Sequence, residues 1–121
     1  MKKAQQSLFS RRIVSATRHS ILGLRSAWRS EEAFRLEVVF ASALVVLAFF
    51  VGRSPVEVTV LILSVLQVLI TELLNTGIEK AIDRVGYESH PLSGMAKDVG
   101  SAAVFISLGG AVFAWVFIGL Q

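Results

Sequence analysis

The sequence predicts an all-α membrane protein, with three transmembrane helices following an N-terminal amphipathic helix that lies in the membrane interface. Three observations carry that expectation. The chain has 121 residues, 54% of them hydrophobic, with nine glycines besides, a composition beyond that of ordinary soluble domains. Its apolar residues gather in three long stretches, each able to supply most of the ~20 residues that a helix needs to cross hydrocarbon. Its basic residues lie almost entirely on one side of those stretches. Lys2, Lys3, Arg11, Arg12, Arg18, Arg25, Arg29 and Arg35 precede the first; Lys80, Arg84 and Lys97 flank the loop between the second and third; Arg53 alone occupies the other loop. Eleven against one places the N-terminus and the 86–94 loop in the cytoplasm and the C-terminus outside.

Residues 8–29 read as the interfacial helix. Phe9, Ile13, Ala16, Leu24, Ala27 and Trp28 share one side, with Val14 and Ile21 at its border, and Arg11, Arg18, Arg25 and Arg29 line the other. Such a helix rests its apolar side on acyl chains and offers its cations to anionic head groups. Ser30 is the expected N-cap of a helix over 31–51, with Glu31 and Glu32 favoured in its first turn by the helix dipole, and Glu31 and Arg35 spaced as an i, i+4 pair. Gly52-Arg53-Ser54-Pro55 reads as a tight turn, with Pro55 at the first position of a helix over 56–85 and Gly86 as its C-cap. Residues 87–94 read as a loop, and 97–120 as the third span, rich in small residues that favour close packing. No internal repeat or period-2 strand pattern interrupts this order. A single domain with so few helices has a small core, so contacts between subunits are expected to complete it. The first apolar run lies far from the N-terminus and has no cleavage site, so no cleavable signal peptide is expected. With no cysteine, disulfides and thiolate ligands are excluded. The net charge of +3 reads as topology and attraction to lipid; no basic-aromatic platform points to nucleic acid.

The chemistry concentrates on one helix face. At about 100° per residue, Glu72, Asn75, Glu79 and Asp83 form a narrow stripe. Counted from Val56, Glu72 and Asn75 fall at the inner edge of the hydrocarbon, where a carboxylate is costly and tends to face protein or water-filled space. Glu31, His90, Lys97 and Asp98 are expected near the same depth. Oxygen donors from two helices suit Mg²⁺, which takes a couple of carboxylates together with substrate phosphates and water. A nearby lysine can hold phosphate oxygens, and a partly desolvated carboxylate can accept a hydroxyl proton. This set suits phosphoryl transfer from a metal-bound nucleotide. The phosphate-binding loop of P-loop enzymes, the kinase Gly-rich loop and the H-R-D motif are all absent, and a lone His without partners makes a poor zinc site.

Gly23-Leu24-Arg25-Ser26-Ala27-Trp28, Glu31-Glu32-Ala33-Phe34-Arg35, Glu72-Leu73-Leu74-Asn75-Thr76-Gly77-Ile78-Glu79, Asp83-Arg84-Val85-Gly86 and the run Leu92 to Ala103 resemble the prokaryotic integral-membrane diacylglycerol kinases. The resemblance covers roughly residues 11 to 118. It implies a homotrimer in the bacterial inner membrane, with sites shared between neighbours, transferring the ATP γ-phosphoryl group to diacylglycerol to give phosphatidic acid. By the same resemblance Glu72 is the general base, and Glu31 and Glu79 are the Mg²⁺ carboxylates. Arg12, His19, Glu31, Glu79, Glu88, Ser89, His90, Lys97 and Asp98 are nucleotide contacts. Asn75 and Asp83 order the site, and Arg25, Trp28 and Arg35, with Glu72, lie on the lipid approach. His19 stands where well-known members have Tyr, Leu36 where they have Gln, and Ser30 where they have Asn; Pro91 stiffens the loop. The alternatives are an undecaprenol kinase of the same family and, in a different class, a small membrane transporter or structural protein with Glu72 as its ion site.

Overall fold

A computed structural model describes all 121 residues, Met1–Gln121. Four helices follow one another: α1 (Lys2–Ser30), α2 (Glu32–Val51), α3 (Pro55–Val85) and α4 (Pro91–Gly119). The last three are long and apolar enough to cross a membrane. The chain divides into two compact units, Met1–Arg35 and Leu36–Gln121, which are described in turn.

The first unit holds α1 and the opening turn of α2. α1 begins at Lys2, six residues before the amphipathic pattern becomes legible, because nothing between Lys2 and Leu8 opposes a helix. Nearly all of α1 is exposed, and Ala27 and Phe34 are the buried side chains of the unit. Ser30 does not cap the next helix. It is the last residue of α1, and its Oγ donates to the Ser26 carbonyl at 2.8 Å. The break comes at Glu31, whose backbone is extended (φ −117°, ψ 102°). Arg35 reaches back across it: Nη1 donates to the carbonyls of Trp28 at 2.8 Å and Arg29 at 3.3 Å. These are carbonyls that the end of α1 leaves without helical partners, so the guanidinium acts as a C-terminal cap.

In the second unit α2 turns into α3 through Gly52. A Cβ there would lie 2.6 Å from Val58 Cγ2 and 2.9 Å from the Val58 nitrogen, so the turn admits glycine alone. Ser54 Oγ accepts from the Glu57 N–H at 3.2 Å, and Glu57 Oε2 accepts from the Arg53 N–H at 2.8 Å. With Pro55 at the first helical position, this is a variant of the capping box. Gly86 ends α3, its N–H donating to the Ile82 carbonyl at 3.2 Å.

The start of α4 differs from the sequence expectation. The helix begins at Pro91, not near Lys97, so only 86–90 separate it from α3. Proline is well suited to the first turn, where its missing N–H is not needed, and His90 caps it by accepting the Leu92 N–H on Nδ1 at 3.1 Å. Lys97 and Asp98 therefore sit in the second turn of a formed helix.

α3 and α4 are the best-packed pair in the chain. They run antiparallel, tied by polar pairs along their length: Lys97 with Asp83, Gln67 Nε2 to the Ser107 carbonyl at 2.7 Å, and Trp115 Nε1 to Ser64 Oγ at 3.1 Å. From Ser64 to Asp83 is nineteen residues, about 28 Å of helix, close to the thickness of a hydrocarbon core. Few side chains of this unit are buried, among them Ala41, Ala48, Leu61, Val65 and Ser107. Phe40, Phe49, Phe50, Phe105, Phe113 and Phe117 are exposed, an outer surface that costs nothing against acyl chains or other apolar helices.

Candidate functional site

The expected stripe is present on α3, an unbroken helix from Pro55 to Val85. Glu72 and Asn75 are half-buried, Glu79 is exposed, and Asp83 is again half-buried. Glu72 lies seven residues, about 10 Å of helix, from Glu79. Asn75 bridges toward the latter, its Nδ2 donating to Glu79 Oε1 at 3.5 Å, a long bond. Its Oδ1 is buried with no hydrogen-bond donor.

One turn beyond Glu79, Asp83 Oδ1 accepts from Lys97 Nζ at 3.0 Å. Both side chains are partly exposed, at 44% for Lys97 and 33% for Asp83. The pair therefore contributes little to stability, and its effect is to hold the ammonium in place. Asp83, Tyr87, Glu88, Ser89, His90 and Lys97 line a cleft of about 220 Å³ at this end of the hairpin, with Gly86, Ser93 and Gly94 in its walls. Four of the expected nucleotide contacts thus share one concavity. Asp98 does not line it and is exposed on α4.

The remaining expected residues belong to the first unit. Arg12, His19, Arg25 and Trp28 are exposed along α1. Arg35 is occupied by the α1 carbonyls, and Glu31 is the extended break residue.

One neighbour of Glu72 was not visible in the sequence. Glu37 on α2 brings its carboxyl group within hydrogen-bonding reach of the Glu72 carboxyl group. It also borders an apolar cavity of about 320 Å³ among Phe40, Leu44, Val65, Leu69 and Trp115. Its signal in the sequence was its isolation, as the last acidic residue before a long uncharged stretch. Its partner lies thirty-five residues away on another helix, which no local pattern reveals.

No three carboxylate or imidazole groups converge in the single chain to enclose a metal. The exposed Glu79 carboxylate, held at one oxygen by an amide, is nevertheless a hard oxygen donor of the kind Mg²⁺ takes when phosphates and water complete its shell.

The family model that matches is that of prokaryotic diacylglycerol kinase, over residues 18–119. This chain belongs to that family. It is 48% identical over 96 residues to the diacylglycerol kinase of Haemophilus influenzae, covering 79% of this chain and 81% of the relative. It is 46% identical over 107 residues to that of Escherichia coli K12, covering 88% of each. It is also 44% identical over 108 residues to that of Pseudomonas aeruginosa, covering 89% of this chain and 88% of the relative. Every candidate site residue except Arg12 lies within the matched stretch. Family membership sets aside the exporter and structural-protein readings.

Proposed function

We propose that this chain phosphorylates diacylglycerol with ATP at the cytoplasmic edge of the bacterial inner membrane, as a homotrimer, with Glu72 as general base. The observation that carries the proposal is the separation along α3: a half-buried carboxylate about 10 Å of helix deeper than an exposed carboxylate, and about 16 Å deeper than a bound lysine and a polar cleft. A lipid hydroxyl arrives from the membrane and a nucleotide from water, so one site serving both needs this division by depth. The apolar cavity bordered by Glu37 suits the acyl end of the substrate.

Glu72 takes the proton of the acceptor hydroxyl as its oxygen bonds to the γ-phosphorus. The bond from that phosphorus to the bridging oxygen breaks, and ADP leaves with the electron pair. Lys97, steadied by Asp83, offers its charge to phosphate oxygens. Glu88, Ser89 and His90 line the nucleotide cleft, and Arg12, His19 and Asp98 are carried over from the family motif. Mg²⁺ would be held by Glu79, with Glu31 carried over as a ligand from the family motif, and when bound would neutralise charge on the transferring phosphates.

The test is ATP consumption by the purified chain in mixed micelles, with phosphatidic acid as product. Diacylglycerol should give the high turnover and undecaprenol little. Equal or greater turnover with undecaprenol would overturn the substrate assignment.

A further inference from the structure

Gly100 is buried on α4, and its backbone does not require glycine, since no residue of the chain adopts the left-handed φ region that favours it. A glycine inside a helix costs about 1 kcal/mol relative to alanine, so the position needs another explanation. Space supplies it. A Cβ built at Gly100 would collide with Asn75 Oδ1 and stand 3.3 Å from Asn75 Cγ and 3.9 Å from Asn75 Cβ. These nearest atoms all belong to one side chain. Gly94, Gly109 and Gly119 on the same helix have nothing within 4 Å of such an atom.

The Asn75 amide therefore occupies the volume that a side chain at residue 100 would take. Its oxygen points inward without a donor, toward the hydrogen-bearing face of Gly100, a weak C–H donor at best. Its nitrogen points outward to Glu79. The reverse orientation would set the amide oxygen against the Glu79 carboxylate. An inward, unsatisfied oxygen costs on the order of 1–3 kcal/mol. The arrangement persists because the hollow at Gly100 fits the amide and Glu79 fixes which end faces out.

We infer that Gly100 is a positioning residue for phosphoryl transfer: by leaving room for the Asn75 amide between α3 and α4, it lets that amide hold the Glu79 carboxylate in the orientation used by the metal-nucleotide complex. The inference rests on the assignment of Glu79 to that complex. Gly100 lies three residues from Lys97, and Glu79 lies four from Asp83, so one helix contact sets both an anionic and a cationic group of the nucleotide site.

The experiment is a double-mutant cycle on the full chain in mixed micelles, reading turnover and the KM values for MgATP and diacylglycerol separately. Gly100→Ala should raise the MgATP KM by about three- to fivefold, as expected for the loss of a long, exposed hydrogen bond to a charged group, and leave the diacylglycerol KM unchanged. Asn75→Ala should raise the MgATP KM to a similar degree. The double variant should match Asn75→Ala alone, because the two methyl groups would stand 3.9 Å apart, in ordinary contact. Gly109→Ala, with open space around it, should behave as wild type. If Gly100→Ala fails to fold, the double variant still decides: a further rise in MgATP KM beyond Asn75→Ala overturns the inference. An equal effect of Gly100→Ala in both backgrounds, or an effect on the diacylglycerol KM instead, also overturns it. Glu79→Gln separates the two readings. If it leaves the MgATP KM unchanged, the assignment of Glu79 fails; if it raises that KM while Gly100→Ala does not, only the role of Gly100 fails.

Discussion

The side-chain hydrogen bonds of α1 stay on that helix, whereas the α3–α4 hairpin adds bonds that cross from one helix to the other. On α1, Ser10, Thr17, Ser20 and Ser30 each donate to a carbonyl three or four residues back on the same helix. On the hairpin, Thr59, Ser64, Thr71 and Ser107 bond back in the same way, but Gln67, Lys97 and Trp115 bond across to the other helix. A helix that satisfies its own polar groups leaves its cations and its apolar side available to a fluid lipid surface. Helices that satisfy each other are held in register, and in hydrocarbon the lack of water strengthens that constraint. Chemistry that needs a carboxylate fixed to within a fraction of an ångström belongs on the second kind of framework. Attraction to a membrane needs only the first.

Substitutions in the two regions should separate along this line. The largest effect is expected from Glu72→Gln, which keeps the shape but removes the proton acceptor. Turnover should fall about 10²–10⁴-fold with the MgATP KM nearly unchanged. Glu37→Ala removes the group facing Glu72 and should lower turnover about tenfold, the size of a lost hydrogen bond to a charged group; an unchanged rate would detach Glu37 from the reaction. Asp83→Asn should raise the MgATP KM by a few-fold as Lys97 loses its anchor, which a titration of initial rate against nucleotide would read. Gln67→Leu should leave kinetics intact and cost about 1 kcal/mol of stability in a denaturation series, the mark of a tie that holds register without touching substrate. Arg18→Gln on α1 should change neither turnover nor stability. With the chain reconstituted in anionic bilayers, it should weaken the hold of α1 on the bilayer surface by about 1 kcal/mol and reduce the salt dependence of that hold, read by a probe on α1. A large catalytic loss from that variant would erase the contrast.

The sequence made the hairpin legible in outline and left its fine structure hidden. Pro55, Gly86 and the stripe from Glu72 to Asp83 are local signals, set by helix periodicity and backbone chemistry, and they are found where expected. The starts of α2 and α4 were less readable because each depends on competing local bonds. Ser30 had the chemistry of a cap but bonded backward to Ser26. His90 is an uncommon cap, and Pro91, which resembles a loop residue, opens the helix. The tertiary pairs were not readable at all. Gln67 with Ser107, Glu37 with Glu72 and Asn75 with Gly100 join residues from twenty-five to forty positions apart. Nothing in either local window distinguishes Gly100 from Gly109, although one receives an amide and the other faces open space.

The division of labour along α3 is the centre of this account, and one measurement addresses it directly: turnover and MgATP KM for Glu72→Gln and Glu79→Gln across a magnesium series. Glu79→Gln should raise the MgATP KM and recover partly as magnesium increases, because a weakened ligand is compensated by mass action. Glu72→Gln should stay slow at every magnesium concentration, because no metal replaces a missing proton acceptor. Rescue of Glu72→Gln by magnesium, with Glu79→Gln unresponsive, would contradict it.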